Sequence, residues 1–221
     1  MFKIINFKSE PKQTFFAPEW SYYLFERNIE QINFNSLADF ILDKEKEILK
    51  LSVNKDDYNK FTDGYTGLGE KSTTSRFSKY NVLNWDHENI ETIKNEILSF
   101  HKDILEYFKQ PLPNELYINC WTNIMRKGEQ IKPHIHGVKP TTYLGGHICV
   151  KCDGTSTHYI NPINQINDPL TYESKNEVGK ITLFQNNIPH YTDIHESDKE
   201  RITIAFDLHT AMFNSIHLKL I

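Results

Sequence analysis

The stretch KPHIHG, residues 132–137, sets two of the chain's ten histidines, His134 and His136, one residue apart. In extended backbone, residues i and i+2 share a face, so both imidazoles point one way while Ile135 turns away. Two nitrogens on one edge can hold a metal ion if a third ligand arrives from elsewhere. His190 stands 54 residues after His136, in GKITLFQNNIPHYTDI, and Arg201 follows eleven residues later in ERITIAFDLH. Arg201 and Thr203 again share one face of a β-branched strand. A guanidinium inside a fold is costly unless it meets an anion, and its fork beside a hydroxyl makes a seat for a carboxylate. Read plainly, these are two surface histidines and a surface arginine paired with Glu200 or Asp198. The spacing of Arg201 from His190 favours a shared site instead.

Two helices and a run of short strands must carry these residues. SLADFILDKEKEILKL (36–51) starts at Ser36, with Asp39 completing a capping box, and Leu37, Phe40, Ile41, Ile48 and Leu51 recur at helical spacing. A second helix follows Asp86, with Ile90, Ile93, Ile97, Ile104, Leu105 and Phe108 as its apolar stripe and Pro111 and Pro113 beyond its end. Between them, residues 54–85 form a polar loop long enough to be a lid or binding loop. Its GYTGLGEKS falls short of a phosphate-binding loop, because Glu70 separates Gly69 from Lys71 and no strand and helix frame it. From Glu115 onward come short β-rich runs: ELYINCWTNIM, QIKPHIH, TYLGGHICVKC, STHYINPI, GKITLF, IPHYTDI and RITIAFDLH. This order predicts a mainly β fold with supporting α, a sandwich or barrel with the helices packed on one sheet. One domain is expected over 1–221, with helical support and the long loop in 1–114 and the β core with the metal site in 115–221.

Taken in order, these residues resemble the iron(II)- and 2-oxoglutarate-dependent oxygenases. In that family His-x-(Asp or Glu), a distant His and then Arg-x-(Ser or Thr) recur at spacings like these. The resemblance runs from about Leu116 to Leu208 and includes WTNIMRKGEQIKPHIHG, YLGG and GKITLFQNNIPH. It is strongest to the small prolyl-hydroxylase-like branch found in phage and marine bacteria, whose members often carry His-x-His. It implies a double-stranded β-helix, a jelly-roll barrel, with Fe(II) held by His134 and His190. Arg201 would grip the distal carboxylate of 2-oxoglutarate, with Thr203 adding a hydroxyl contact. Asn123, on the strand leading into the site, would face the cosubstrate; a hydrogen-bonded Asn beside a core Trp121 explains it as well. The implied activity is hydroxylation of a C–H bond, first of all in a prolyl residue, as 2-oxoglutarate is decarboxylated to succinate.

One position departs from the family. His136 stands where most members have a carboxylate, so three histidines would bind the metal and the site would be more positive. Asp193 is the nearest alternative carboxylate, but on a regular strand it points away from His190. A cupin-type three-histidine dioxygenase or isomerase is a second possibility, since GEQIKPHIH fits half of a cupin motif. However, Pro140 and Thr141 stand where its Glu is expected, and a cupin does not need Arg201. A third is a catalytically silent jelly roll, a structural or binding protein of a phage particle.

Bulk properties narrow the partners. A net charge of −4, without a Lys/Arg-rich stripe, argues against a nucleic-acid or anionic-membrane binder. No apolar run suffices for a membrane span, and the amino terminus lacks a secretory h-region. Three cysteines, Cys120, Cys149 and Cys152, fit reduced thiols in a cytoplasm, the host's if the chain is phage-encoded. Cys149 and Cys152 lack a second pair at zinc-site spacing and, at i and i+3 of a strand, face opposite sides. His147, His158, His195, His209 and His217 have no matched partner and are expected to be surface or packing residues. The expected substrate is a small molecule or peptide, read by the 54–85 loop and a loop spanning Asn161 to Glu177.

Overall fold

Alternation of apolar and polar residues along the strands sorts the molecule into layers. The computed structural model describes residues 1–9, 16, 19–54, 62–137, 141–163, 170–212 and 214–221. In chain order it contains β1 (Lys3–Lys8), β2 (Ser21–Asn28), α1 (Phe34–Ile48), α2 (Ile90–Tyr107), β3 (Tyr117–Met125) and β4 (Thr142–Lys151). There follow β5 (Ser156–Ile160), β6 (Thr171–Lys175), β7 (Lys180–Gln185), β8 (His190–Thr192), β9 (Arg201–His209) and β10 (Leu218–Lys219). A seven-stranded sheet runs β1-β2-β7-β4-β9-β3-β10 and a three-stranded sheet runs β6-β5-β8, with antiparallel pairing throughout. This is the mainly β architecture with supporting helices expected from the sequence.

Strand β9 shows how the layers arise. Its residues Ile202, Ile204, Phe206 and Leu208 are buried in the apolar core with Leu37 and Ile41 of α1 and Ile93 and Ile97 of α2. The intervening Arg201, Thr203, Ala205, Asp207 and His209 line a cavity on the other face. Each fully buried Ile or Leu contributes about 1.5–3 kcal/mol, so a one-residue slip, which would also sink Arg201 into the apolar layer, is strongly disfavoured. Charged contacts tie both helices down. Arg27 of β2 meets Asp103 at 2.8 Å and Glu96 at 2.9 Å on α2, and Arg126, just after β3, grips both oxygens of Glu45 on α1 at 3.0 and 2.7 Å.

Several local expectations change. Helix α1 begins at Phe34, and its cap is Asn33, whose side chain accepts the Ser36 N–H at 3.1 Å; Ser36 lies inside the first turn. The amino-terminal residues supply β1 and β2, which extend the large sheet beyond β7 and for which the sequence showed no clean alternation. The expected 161–177 loop contains β6, while its residues 164–169 and residues 55–61 of the 54–85 loop lie outside the described residues. QIKPHIH forms no regular strand, only a bridge between His134 and His190. A register shift between Cys149 and Lys151 also overturns the opposite-face expectation for the cysteines. Both thiols reach Asn176, Cys149 at its side-chain oxygen (3.4 Å) and Cys152 at its carbonyl (3.3 Å).

His101, fully buried on α2 with its ring against the Tyr143 hydroxyl, is pulled down to about 4 by burial. An unfolded chain takes up the proton near pH 6.5, whereas the folded chain resists until about pH 4, so the contribution of this group is present above 6.5 and lost on acidification through that window. Urea unfolding from pH 7 to 4 is expected to show a loss of up to about 3 kcal/mol from this residue. His101→Gln should flatten the slope. An unchanged slope in the variant would rule out His101 as its source.

Candidate metal centre

Two short segments bring the histidines together. His134 and His190 exchange backbone hydrogen bonds at 3.1 and 3.0 Å, and the His136 N–H donates to the Asn186 carbonyl at 2.9 Å. Asn186 returns its side-chain amide to the carbonyls of Gly137 and Thr142, which clamps the KPHIHG segment over the turn before β8. Gly137 turns the chain at φ +59°, where a side chain would meet Thr142 at 2.5 Å. Alternation is thus realised without a regular strand: Ile135 is exposed while His136 is buried.

One ligand atom from each of His134, His136 and His190 lies within 4.8 Å of the others. Each ring is oriented by an acceptor at Nδ1: the Lys132 carbonyl for His134 (2.8 Å), Asp207 Oδ1 for His136 (2.7 Å) and the Ile188 carbonyl for His190 (3.1 Å). An acceptor at Nδ1 demands the Nδ1–H tautomer, which leaves the Nε2 lone pair of every ring free for a metal. Burial, and then the neighbouring imidazoles, lower His134 to about 4 and His190 well below its usual value. Near neutral pH both are uncharged donors. The donor set therefore fits a divalent first-row transition metal with open positions on the cavity side. Among the described residues this is the one His, Cys, Asp or Glu cluster of that kind, and the cysteine pair belongs to none. Asp193 is committed elsewhere, to His158 Nε2 at 2.7 Å and the Ser156 N–H at 2.9 Å.

The cavity has a volume of about 420 Å³ and draws its walls from both sheets. Arg201 is 2 % exposed, yet among the described residues no carboxylate pairs with it. Among the described residues its guanidinium has long contacts alone, to Met125 Sδ at 3.5 Å and Thr157 Oγ1 at 3.4 Å, and Nε has no hydrogen-bond partner. Burial lowers its pKa. A buried, under-satisfied cation facing a cavity is the signature of a site for an anion. Thr203 and Asn123, cross-strand neighbours, line the same wall, and Asn123 accepts the Thr74 hydroxyl at 2.7 Å. Residues 62–85 lie along β3, where Thr73, Tyr80 and Asn81 bond its backbone or side chains, and Asp63, Tyr65 and Phe77 reach the cavity. In GYTGLGEKS the Asp63 carboxylate takes the Gly69 N–H at 2.8 Å, so a carboxylate already occupies the glycine turn.

Sequence reasoning missed part of the site. His147, His209 and His217, expected at the surface or in packing, are buried and line the cavity; His158 and His195 do pack, against Asp193 and Thr155. His147 bonds Tyr159 at 2.8 Å and is pushed to about 3 by burial and the Arg201 charge. Asp207 was also missed, although it continues the i, i+2 series from Arg201 and Thr203. Gly145 has a steric role: a Cβ there would stand 2.9 Å from both His136 Nδ1 and Phe184. Gly145→Ala should displace the His136 ring and weaken metal binding about 10-fold, within the range for lost ligand support. Calorimetric metal titration checks this, and wild-type affinity would show that the ring has room to spare.

A family model described as "Putative 2OG-Fe(II) oxygenase" matches residues 119–207. Among solved structures, the chain is similar to a Pseudomonas putida prolyl-4-hydroxylase, with a TM-score of 0.56 at 9 % identity over 86 % of this chain and 93 % of that one. It is also similar to SnoK, a non-haem α-ketoglutarate-dependent carbocyclase from nogalamycin biosynthesis, with a TM-score of 0.54 at 8 % identity over 84 % and 79 %. No curated protein sequence matches. The fold is that of the 2OG-Fe(II) oxygenases, and residues 119–207, which hold His134, His136, His190 and Arg201, match that family. No helix among the described residues is long and apolar enough to cross a membrane.

Proposed function

We propose that this protein is an Fe(II)- and 2-oxoglutarate-dependent dioxygenase that hydroxylates a C–H bond of a small molecule or peptide. The observation that carries it is Arg201, a buried guanidinium without a carboxylate partner among the described residues, opening onto the cavity shared by three converging histidines. His134, His136 and His190 would hold the iron through Nε2. Arg201 would bind the distal carboxylate of 2-oxoglutarate in a fork, with the Thr203 and Thr157 hydroxyls beside it and Asn123 on the same wall. Bound iron and 2-oxoglutarate supply the oxidising chemistry, in which O2 is consumed, the cosubstrate leaves as succinate and CO2, and the substrate gains a hydroxyl. The chain orients its ligands, pairs the cosubstrate's charge and excludes water with Trp121, Phe184 and Ile131.

The substrate end lies away from Arg201. Arg201 and Asp207, which touches His136, stand six positions apart on β9, about 20 Å of strand. Asn119 lies beside Asp207, and His209, His217, Phe77 and Tyr65 line the same cavity. A prolyl residue in a peptide is the first candidate, supported by the sequence resemblance and by the prolyl-4-hydroxylase among the structural neighbours. The single-domain organisation over 1–221 and a cytoplasmic location belong to the same proposal. The His136 departure favours, as a second possibility, a three-histidine metal dioxygenase that takes no 2-oxoglutarate, but this leaves Arg201 without an anion. Anaerobic calorimetry of 2-oxoglutarate added to Fe(II)-loaded protein decides between them. Metal-dependent binding supports the oxygenase; iron binding without it transfers the case to the second; binding of neither leaves a jelly roll without this chemistry.

A further inference from the structure

We infer that Asp207 is a positioning residue for the metal centre, holding His136 by its Nδ1–H and supplying, one bond outside the ligand shell, the negative charge that His136 itself lacks. This rests on the metal site proposed above and concerns the position where the chain departs from the family. His134 and His190 donate to backbone carbonyls, which are neutral acceptors; His136 alone donates to a carboxylate, at 2.7 Å. A carboxylate acceptor strengthens the hydrogen bond and makes the imidazole a better electron donor at Nε2. The charge thus returns to the site through the ring that displaced it.

The surroundings are built for this contact. Asp207 lies on β9 between Asn119 of β3 and Gly145 of β4, its cross-strand neighbours on the cavity face. Gly145 offers no side chain, which is what lets His136 settle against the sheet. Trp121 and Phe184 flank the His136 ring at 5.7 and 5.3 Å, so the ring is held from three directions. Among the described residues no lysine or arginine pairs with Asp207, whose side chain is 15 % exposed; its side-chain partner is the His136 Nδ1.

Binding of Ni(II) alone, followed by calorimetry, tests the inference without turnover. Asp207→Asn, which keeps the shape but not the charge, should lower affinity about 10-fold, and Asp207→Ala up to about 100-fold, the range known for such supporting partners. Thermal melting of the metal-free variants reports any folding loss separately, and the isosteric Asn variant carries the test if Ala fails to fold. In a His136→Ala background, Asp207→Ala should change Ni(II) affinity by less than about twofold, because the ring it acts through is gone. Wild-type affinity in both Asp207 variants overturns the inference and leaves the metal site standing. An equal loss in the His136→Ala background overturns it as well, since Asp207 would then act by another route. Failure of the wild-type protein to bind Ni(II) removes the metal site and the inference together.

Discussion

Arg201→Met is expected to abolish measurable 2-oxoglutarate binding while leaving metal affinity near wild type and making the metal-free protein more stable. The two effects have opposite signs for one reason. Arg201 is a buried cation whose hydrogen-bonding contacts among the described residues are a thioether and a hydroxyl beyond 3.3 Å. Methionine fills similar space without the desolvation cost, and such replacements gain about 1–4 kcal/mol. With 2-oxoglutarate present, the guanidinium would gain a carboxylate in a dry site, and losing one partner of such a pair costs about 3–5 kcal/mol, or roughly 10²- to 10⁴-fold in Kd. Melting in the absence of ligand and anaerobic calorimetry in its presence read the two halves separately. A variant that is less stable and still binds 2-oxoglutarate would make Arg201 an ordinary packing residue.

His190→Gln is expected to cost at least about 100-fold in metal affinity, beyond the loss from any supporting partner. Glutamine is chosen for a physical reason. His190 is buried between Phe184, Tyr159, His134 and His136, and alanine there would open a cavity costing about 3 kcal/mol or more, confusing metal loss with unfolding. Because 2-oxoglutarate binding would depend on the metal, this variant should lose both ligands, whereas Arg201→Met loses one. That difference separates a metal ligand from a cosubstrate anchor. Retention of metal by His190→Gln, with 2-oxoglutarate lost, would mean that the ion sits elsewhere.

Much of the β core was legible because its signals are local. Strands β3, β4, β5, β7, β8 and β9 match the β-rich runs, and α2 starts and stops where its isoleucine stripe and the prolines place it. Where competing local signals were of similar strength, the outcome depended on context. Asn33 and Ser36 are both good caps, and the helix takes Asn33, which sets the first turn at Phe34. The amino-terminal strands were invisible because β2 is held by pairing with β7, some 155 residues downstream, and β1 by pairing with β2, and the first of these no local pattern reports. The cysteine orientation failed at a register irregularity, a property of the β4–β9 pair and not of β4 alone.

By itself the sequence determined the types and order of the chemical groups: two histidines one residue apart, a third far downstream, and an arginine and threonine sharing a strand face. These follow from covalent spacing and the period-two geometry of extended chain, which hold wherever the strand lies. Only the tertiary structure decided which groups converge, since that depends on which strands become neighbours. Pairing of β9 with β3 and β4 sets Asp207 between Asn119 and Gly145 and under His136, 71 residues away in the chain. It also turns His147 and His209, expected at the surface or in packing, into cavity walls. Long-range pairing is selected by burial of the apolar face against α1 and α2, so the polar face inherits its neighbours from the packing on the other side of the sheet.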